Sequence, residues 1–343
     1  MARCIQLAKN GLGTTYPNPL VGSVVVHNNK IIGEGWHFEA GKPHAEVNAI
    51  ASVKQKELLV AASIYVSLEP CSHFGKTPPC ADLIIKSGIK NVNIGSKDPN
   101  PKVAGRGIQR LIDAGFNVTE GILAEECSNL NKRFFSFYKK KRPYIILKWA
   151  ETLDGFIAPR KKERSSKKKP VWISNTHSRH FAHKLRTQEQ AILVGTQTVL
   201  DDNPSLTTRD WKGTNPVRVV IDRTLKIPKT ASVFDGIVKT IVITEMKASN
   251  DNQVIFEKVD FSEKLLEEIC EVLHKHQLQS LIVEGGSITI QAFIDANLWD
   301  EAYIIKGESS FGRGIQAPKL SGHLVSKEKL KSDIVQLFKN DFL

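Results

Sequence analysis

A histidine and two cysteines recur within one short stretch, in the order His44-Ala45-Glu46, Pro70-Cys71 and Cys80. One imidazole and two thiolates make three zinc ligands of suitable softness. Three protein ligands leave the fourth tetrahedral position to water, as catalytic rather than structural zinc sites require. The stretch therefore reads as an open metal site. Glu46 lies two residues after His44. The Lys42-Pro43 breaker before it and the apolar Val47, Ala49 and Ile50 after it predict a helix opened by His44, so that both side chains face one pocket. Zinc lowers the pKa of its water from about 15.7 to near 7, and a carboxylate that does not bind the metal can move that proton onto a departing amine. Glu46 is thus read as the catalytic proton carrier of a hydrolytic deamination.

Two plainer readings compete. A structural zinc knot needs a fourth protein ligand, and the nearby His73 is cramped by its two-residue spacing from Cys71. A Cys71 to Cys80 disulfide is disfavoured by an odd total of five cysteines with no secretory leader, which argues for a reducing compartment.

At 343 residues the chain is too long for one ordinary domain, and two domains of about 140 to 200 residues would each bury a substantial core. Residues 1–8 read as a helix with Gly11 near its C-cap. They lack the apolar core of a signal peptide, and no run of 18 apolar residues follows, so a soluble, cytoplasmic protein without a membrane partner is expected. The net charge of +12 raises the question of nucleic acid. Two short runs, 139–142 and 160–169, supply +10 of it, whereas a nucleic-acid surface spreads Lys and Arg over a face with aromatics for stacking. The runs are read as a boundary and a solvated surface loop, and no nucleic-acid partner is expected.

In chain order, 20–27 and 30–36 form a β-hairpin about Asn28-Asn29, and the His44 helix follows. Strand 63–68 carries Glu69-Pro70-Cys71 at its C-terminal end, where open α/β sheets place ligands. A helix from Cys80 stopped by Gly88, strand 91–95, helix 107–114, strand 117–119 and helix 124–138 complete a three-layer α/β/α sandwich with largely parallel later strands.

Base deaminases carry the signature H-x-E followed by P-C-x-x-C, but eight residues separate Cys71 from Cys80 here. The loop 71–80 resembles instead the deaminase domain of the bifunctional riboflavin-pathway deaminase/reductase family. Further matches in the family's order are Thr15-Tyr16-Pro17-Asn18-Pro19-Leu20-Val21-Gly22, Gly33-Glu34-Gly35-Trp36-His37 and Asp98-Pro99-Asn100-Pro101. The resemblance implies a cytidine-deaminase-like fold and substrate-binding roles for Asn18, His37, Lys76, Asp98 and Asn100. On chemistry alone, a phosphate wants Lys76 and a pyrimidine edge wants Asn and Asp, although prolines flanking Asn18 and Asn100 also suit plain turn residues.

A second apolar run starts at Pro143, and Lys148-Trp149-Ala150-Glu151-Thr152-Leu153-Asp154-Gly155 resembles the opening of the family's reductase domain, which implies a dihydrofolate-reductase-like α/β fold. Thr152 stands where the family has Ser, and Pro170 replaces another Ser. Ser174 or Asn175 caps a helix over 174–186, strand 191–194 leads to Gly195, and 198–209 resembles T-V-L-x-D-D-P-x-L-T-x-R with Asn203 for the second Asp. Later strands are 217–222, 240–244 and 280–284, the last entering Gly285-Gly286-Ser287 and a helix over 288–296 whose N-terminus suits a diphosphate. No G-x-G-x-x-G follows a strand, which disfavours a Rossmann dehydrogenase.

By resemblance, Arg186, Leu206, Arg209 and Glu284 bind the reductase substrate. Ala150, Trp172, Thr198, Asp202, Gly286, Ser287, Ile288, Thr289, Ile290, Gln291 and Ala292 hold NADPH. The expected protein is a zinc deaminase over 1–142 and an NADPH reductase over 143–343, acting on a small phosphoribosylaminopyrimidine, with homo-oligomerisation left open. The alternatives are a nucleoside or nucleic-acid deaminase with an unrelated C-terminal domain, and a non-catalytic zinc-stabilised binding module.

Overall fold

A computed structural model describes residues 1–72, 78–101, 103–160 and 171–341. His73, Lys76, Pro170 and all of the 160–169 run but Arg160 lie outside the described residues. The chain separates into two units, Met1–Lys140 and Lys141–Leu343.

In the first unit, α1 (Ala2–Ala8) precedes β1 (Gly22–His27) and β2 (Lys30–Trp36). Asn28 and Asn29 both adopt positive φ, 47° and 60°. That pair of left-handed residues makes the tight turn whose twist matches the hairpin strands, which is why asparagine stands at both positions. There follow α2 (Ala45–Ser52), β3 (Ser63–Leu68), α3 (Cys80–Ser87), β4 (Asn91–Ser96), α4 (Arg106–Asp113), β5 (Asn117–Thr119), α5 (Ala124–Leu130) and α6 (Lys132–Lys140). The sheet order is β2-β1-β3-β4-β5, with β1 antiparallel to β2 and β3 and the later pairs parallel. Alternation along each strand divides the core between two faces. Val24 and Tyr65 pack with Cys4 and Leu7 of α1, while Val25, Ile64 and Val66 pack with Ala49 and Ile50 of α2 and Ile84 of α3.

The helix expected over 124–138 is two helices. Its interior is broken at buried Asn131, whose side chain accepts from Leu20 N and donates to Leu20 O, both at 2.8 Å. A two-way bond to a remote backbone outweighs helix continuity there.

The second unit runs β6 (Tyr144–Glu151), β7 (Phe156–Ala158), α7 (Thr176–Gln188), β8 (Ala191–Gly195), α8 (Thr196–Asp202), β9 (Val217–Ile221), β10 (Thr240–Thr244) and β11 (Val254–Lys258). It continues with α9 (Leu265–Lys275), β12 (Ser280–Val283), α10 (Ser287–Asp295), β13 (Glu301–Lys306), β14 (Ile315–Gln316), β15 (His323–Leu330) and β16 (Asp333–Lys339). Among the described residues its main sheet has the order β11-β10-β9-β8-β12-β6-β13-β16-β15. In that order the strands from β11 to β13 run parallel, and β16 and β15 add antiparallel at one edge. Asn175 is the N-cap of α7, its side chain accepting from Ser178 N at 3.1 Å. Ile145, Leu147 and Leu281 face Ile269, Leu273 and Phe293 of α9 and α10, whereas Ile146, Ile192 and Ile282 face Leu185 of α7 and Val199 of α8. Strands covered on both faces explain the continuous apolar runs at 144–147 and 191–194.

Candidate active sites

The N-terminus of α2 and the ends of β3 and β4 converge in the first unit. His44 is the N-cap of α2, Cys71 lies three residues beyond the end of β3, and Cys80 opens α3. The ligand atoms of these three residues lie within 4.8 Å of one another. His44 Nδ1 is 3.3 Å from Cys80 Sγ and 3.6 Å from Cys71 Sγ. Zinc bound at about 2.3 Å to sulfur and 2.0 Å to nitrogen gives a tetrahedral edge of about 3.5 Å, so the donor set fits that ion, with Nδ1 the ligating nitrogen. The Cys80 thiol donates to Cys71 and, with His44, holds Cys71 below the usual thiol range, as a metal-binding thiolate needs.

Glu46 is 3% exposed. From protein groups alone, burial and the Cys71 charge push its carboxyl up to about 7 against the opposing pull of His44. A carboxyl balanced near neutrality suits a group that takes and returns a proton.

Of the expected substrate residues, Asn18, His37, Asp98 and Asn100 are described, and they gather around this centre. The ring centroids of His37 and His44 are 5.2 Å apart. Asn18 Nδ2 lies 3.0 Å from His37 Nε2, and His37 Nδ1 lies 3.1 Å from Pro43 O. Since an amide nitrogen only donates, His37 accepts at Nε2 and carries its proton on Nδ1. Burial lowers its pKa, consistent with the neutral ring. Asp98 Oδ1 accepts from Asn100 N at 2.7 Å, and burial, aided by the Glu69 and Cys71 charges, raises the Asp98 carboxyl to about 7.

Sequence reasoning missed Glu69. Its buried carboxylate accepts from the amides of Asp98, Gly105, Gly107 and Ile108, at 3.2, 2.9, 2.9 and 3.4 Å. It thereby fixes the loop after β4 to the strand end that carries Cys71. The approach is close enough that a Cβ at Gly107 would fall 2.0 Å from Pro70 O, so only glycine fits.

In the second unit a cleft of about 270 Å³ opens at the C-terminal ends of β6, β8 and β12. Of the expected residues, Ala150, Trp172, Arg186, Thr198, Asp202, Arg209, Glu284 and Gly286 line it. Residues 287–292 do not: Ile288 is 87% exposed, Ile290 is fully buried in the core, and Gln291 is engaged with Asp295 and Lys319. Leu206 also points into the core. Lys148 and His183 line the cleft as well, and sequence reasoning missed both.

Glu284 is the electrostatic centre. Arg186 Nη2 lies 2.9 Å and Lys148 Nζ 3.7 Å from its carboxylate. Burial raises its pKa, but these two cations outweigh burial and the carboxyl ends at about 2. At the start of α10, Gly285 has φ +114° and a Cβ there would meet Thr198 Oγ1 at 2.7 Å. Gly286 N donates to the same Oγ1 at 3.1 Å. Two glycines and a helix N-terminus beside a cleft fit a dinucleotide phosphate.

Riboflavin biosynthesis protein RibD of Aquifex aeolicus is 39% identical to this chain over 353 residues, 99% of this chain and 97% of that protein. The chain belongs to the RibD family. RibD proteins are bifunctional deaminases and reductases of riboflavin biosynthesis that use zinc and NADPH. RibD of Escherichia coli is 35% identical, over 89% of this chain and 85% of that protein. The RibD C-terminal domain model matches residues 143–342, and the cytidine and deoxycytidylate deaminase zinc-binding region matches residues 1–96. A crystal structure of the diaminohydroxyphosphoribosylaminopyrimidine deaminase/5-amino-6-(5-phosphoribosylamino)uracil reductase of Thermotoga maritima superposes with a TM-score of 0.88 at 39% identity, covering 99% and 97% of the two chains. Acinetobacter baumannii RibD gives 0.88 at 32% identity, covering 98% and 97%. The expected fold is therefore the fold of the family: a cytidine-deaminase-like unit and a RibD reductase unit.

Proposed function

We propose that residues 1–142 deaminate 2,5-diamino-6-(5-phosphoribosylamino)pyrimidin-4(3H)-one and that residues 143–343 reduce the ribosyl group of 5-amino-6-(5-phosphoribosylamino)uracil to ribityl. The observation that carries the first half is the convergence of His44 Nδ1, Cys71 Sγ and Cys80 Sγ beside buried Glu46. Zinc, when bound, supplies the Lewis acidity that makes water nucleophilic near neutral pH. Glu46 moves the proton from that water to the departing amino group. Asn18, His37, Asp98 and Asn100 orient the pyrimidine, and Lys76 meets its phosphate.

NADPH, when bound, supplies the hydride. Gly286 and Thr198 seat it at the start of α10, with Ala150, Trp172, Asp202 and the main chain of 287–292 completing its site. Glu284, kept ionised by Arg186 and Lys148, binds the ribosyl group, and Arg209 suits the phosphate with its planar fork. The buried side chain of Leu206 leaves its main chain for substrate. All five cysteines are free, which accords with a cytoplasmic enzyme.

The test is incubation of the zinc-loaded protein with the diaminopyrimidine, with and without NADPH or NADH, following products by mass. The reading predicts a gain of about one mass unit on deamination and two more on reduction. A nucleoside deaminase with an unrelated second domain would leave NADPH unoxidised.

A further inference from the structure

We propose that Arg218 is a positioning residue for the reductase site, acting through Ser205 to seat Arg209 at the cleft. The role rests on the reading that this cleft takes the phosphoribosylaminopyrimidine. Arg218 lies on β9 with its side chain 0% exposed. Nη1 and Nη2 engage the two carboxylate oxygens of Asp235 at 2.6 and 3.1 Å, and Nη1 also donates to Val233 O at 3.2 Å. This fork fixes the guanidinium plane and leaves Nε aimed at Ser205 O, 2.9 Å away. Ser205 Oγ in turn accepts from Arg209 Nη1 at 3.3 Å and shares a hydrogen bond with Thr207 Oγ1 at 3.1 Å. The chain of bonds runs from the sheet interior to a cleft-lining side chain.

Burying a charge on a strand flanked by Val217, Val219 and Val220 is costly, and an apolar side chain would pack there. What the guanidinium adds is a directed bond to a loop that needs holding. The next residue, Leu206, sits at φ 55° with its side chain in the core, a conformation that persists only where the surroundings over-determine it. The loop's other ties lie on either side: Asn203 Oδ1 accepts from Ser232 N at 2.8 Å, Arg186 Nη1 donates to Thr207 O at 3.1 Å, and Thr208 N donates to Asn215 Oδ1 at 2.8 Å. Arg218 holds the middle.

The test compares steady-state reductase kinetics of full-length wild type, the double variant R218M/D235N and S205A. The double variant removes both charges together, so no orphaned carboxylate remains to unfold the sheet. Both variants are expected to raise KM for the pyrimidine substrate, by about tenfold in the double variant, with kcat changed less, because misplacing a binding group by about 1 Å is enough to cost that factor. KM for NADPH and the deaminase kinetics of the same chain stay at wild-type values. A merely structural role predicts instead that activity falls only with the folded fraction, so wild-type KM in both variants overturns the proposal. Should the double variant not fold, S205A decides alone, and an unchanged KM refutes the relay. Absence of any reduction by wild type would overturn the substrate reading and this role with it.

Discussion

Glu69 accepts the backbone amide hydrogen of Asp98 at 3.2 Å, so a carboxylate at the end of one strand sets the position of a residue beyond the end of the next. The same carboxylate collects three further amides, and the donors at Asp98, Gly107 and Ile108 are buried, so removing Glu69 takes away their acceptor. A buried donor left unsatisfied costs roughly 1–3 kcal/mol, so Glu69→Ala should destabilise the first unit by about 3 kcal/mol or more. Glu69→Gln should not rescue it, since its NH2 turns a donor toward donors. Urea unfolding and deaminase KM check this, and a glutamine variant with wild-type values for both would refute it.

Asn203, which stands where the resemblance expects Asp, has a local explanation. It ends α8 in the left-handed region at φ 42°, where Asn and Asp are both tolerated, and its Oδ1 accepts from Ser232 N at 2.8 Å. A carboxylate serves that bond equally well. Asn203→Asp is therefore expected to change stability by less than about 0.5 kcal/mol, and Asn203→Ala, which loses both the acceptor and the tolerance of positive φ, to cost about 1–2 kcal/mol in thermal or urea unfolding. Thr152 is explained in the same way: its hydroxyl donates to Asp154 at 2.5 Å and accepts from Phe156 N at 3.0 Å, a pattern indifferent to the extra methyl.

The zinc set is legible in the sequence because its chemistry resides in three side chains whose types and order are distinctive. The hairpin and strands 63–68 and 191–194 are legible from local period and turn residues. Glu69 is not, because its partners are main-chain amides 29 to 39 positions away, which leave no mark on residue type. Arg218 sits inside an apolar run that reads correctly as a strand, yet its partners Ser205 and Asp235 come from separate loops. Strand β15 escapes a sequence reading since it is a sheet edge with almost every residue exposed, so its sequence carries no buried alternation. A cofactor role for the run 286–292 is a role for its main chain rather than for every side chain. A helix turns its residues through all directions, and Ile290 accordingly faces the core.

Glu284 sets a pH signature in the second unit. Its carboxyl titrates at about 2 in the folded protein against an ordinary value of 4.5, so the unfolded chain binds the proton first as pH falls. A group with a depressed pKa contributes stability that is fully present above about 4.5 and is lost as pH drops toward 2, here on the order of 3 kcal/mol. Glu284→Gln should abolish this contribution while costing about 3–5 kcal/mol at neutral pH, because Arg186 and Lys148 are left buried without their anion. Denaturant unfolding of both proteins between pH 2 and 7 tests it, and a pH dependence identical in the two would sink it.

The two active centres draw on different residues, so loss of one reaction need not touch the other. Glu46 does not belong to the metal-ligand set, and Glu46→Gln keeps its size while removing the ability to ionise. It should bind zinc at wild-type stoichiometry and release ammonia about 10²–10⁴-fold more slowly, the usual worth of a positioned general acid/base. Reduction of supplied 5-amino-6-(5-phosphoribosylamino)uracil should continue at the wild-type rate. Chelation should do the reverse of a point substitution on stoichiometry but the same on turnover, with deamination lost and NADPH oxidation kept, and zinc should restore it. Ammonia release at an undiminished rate in Glu46→Gln would show that the proton moves by another group, while loss of zinc from that variant would move Glu46 from proton carrier to part of the metal's support.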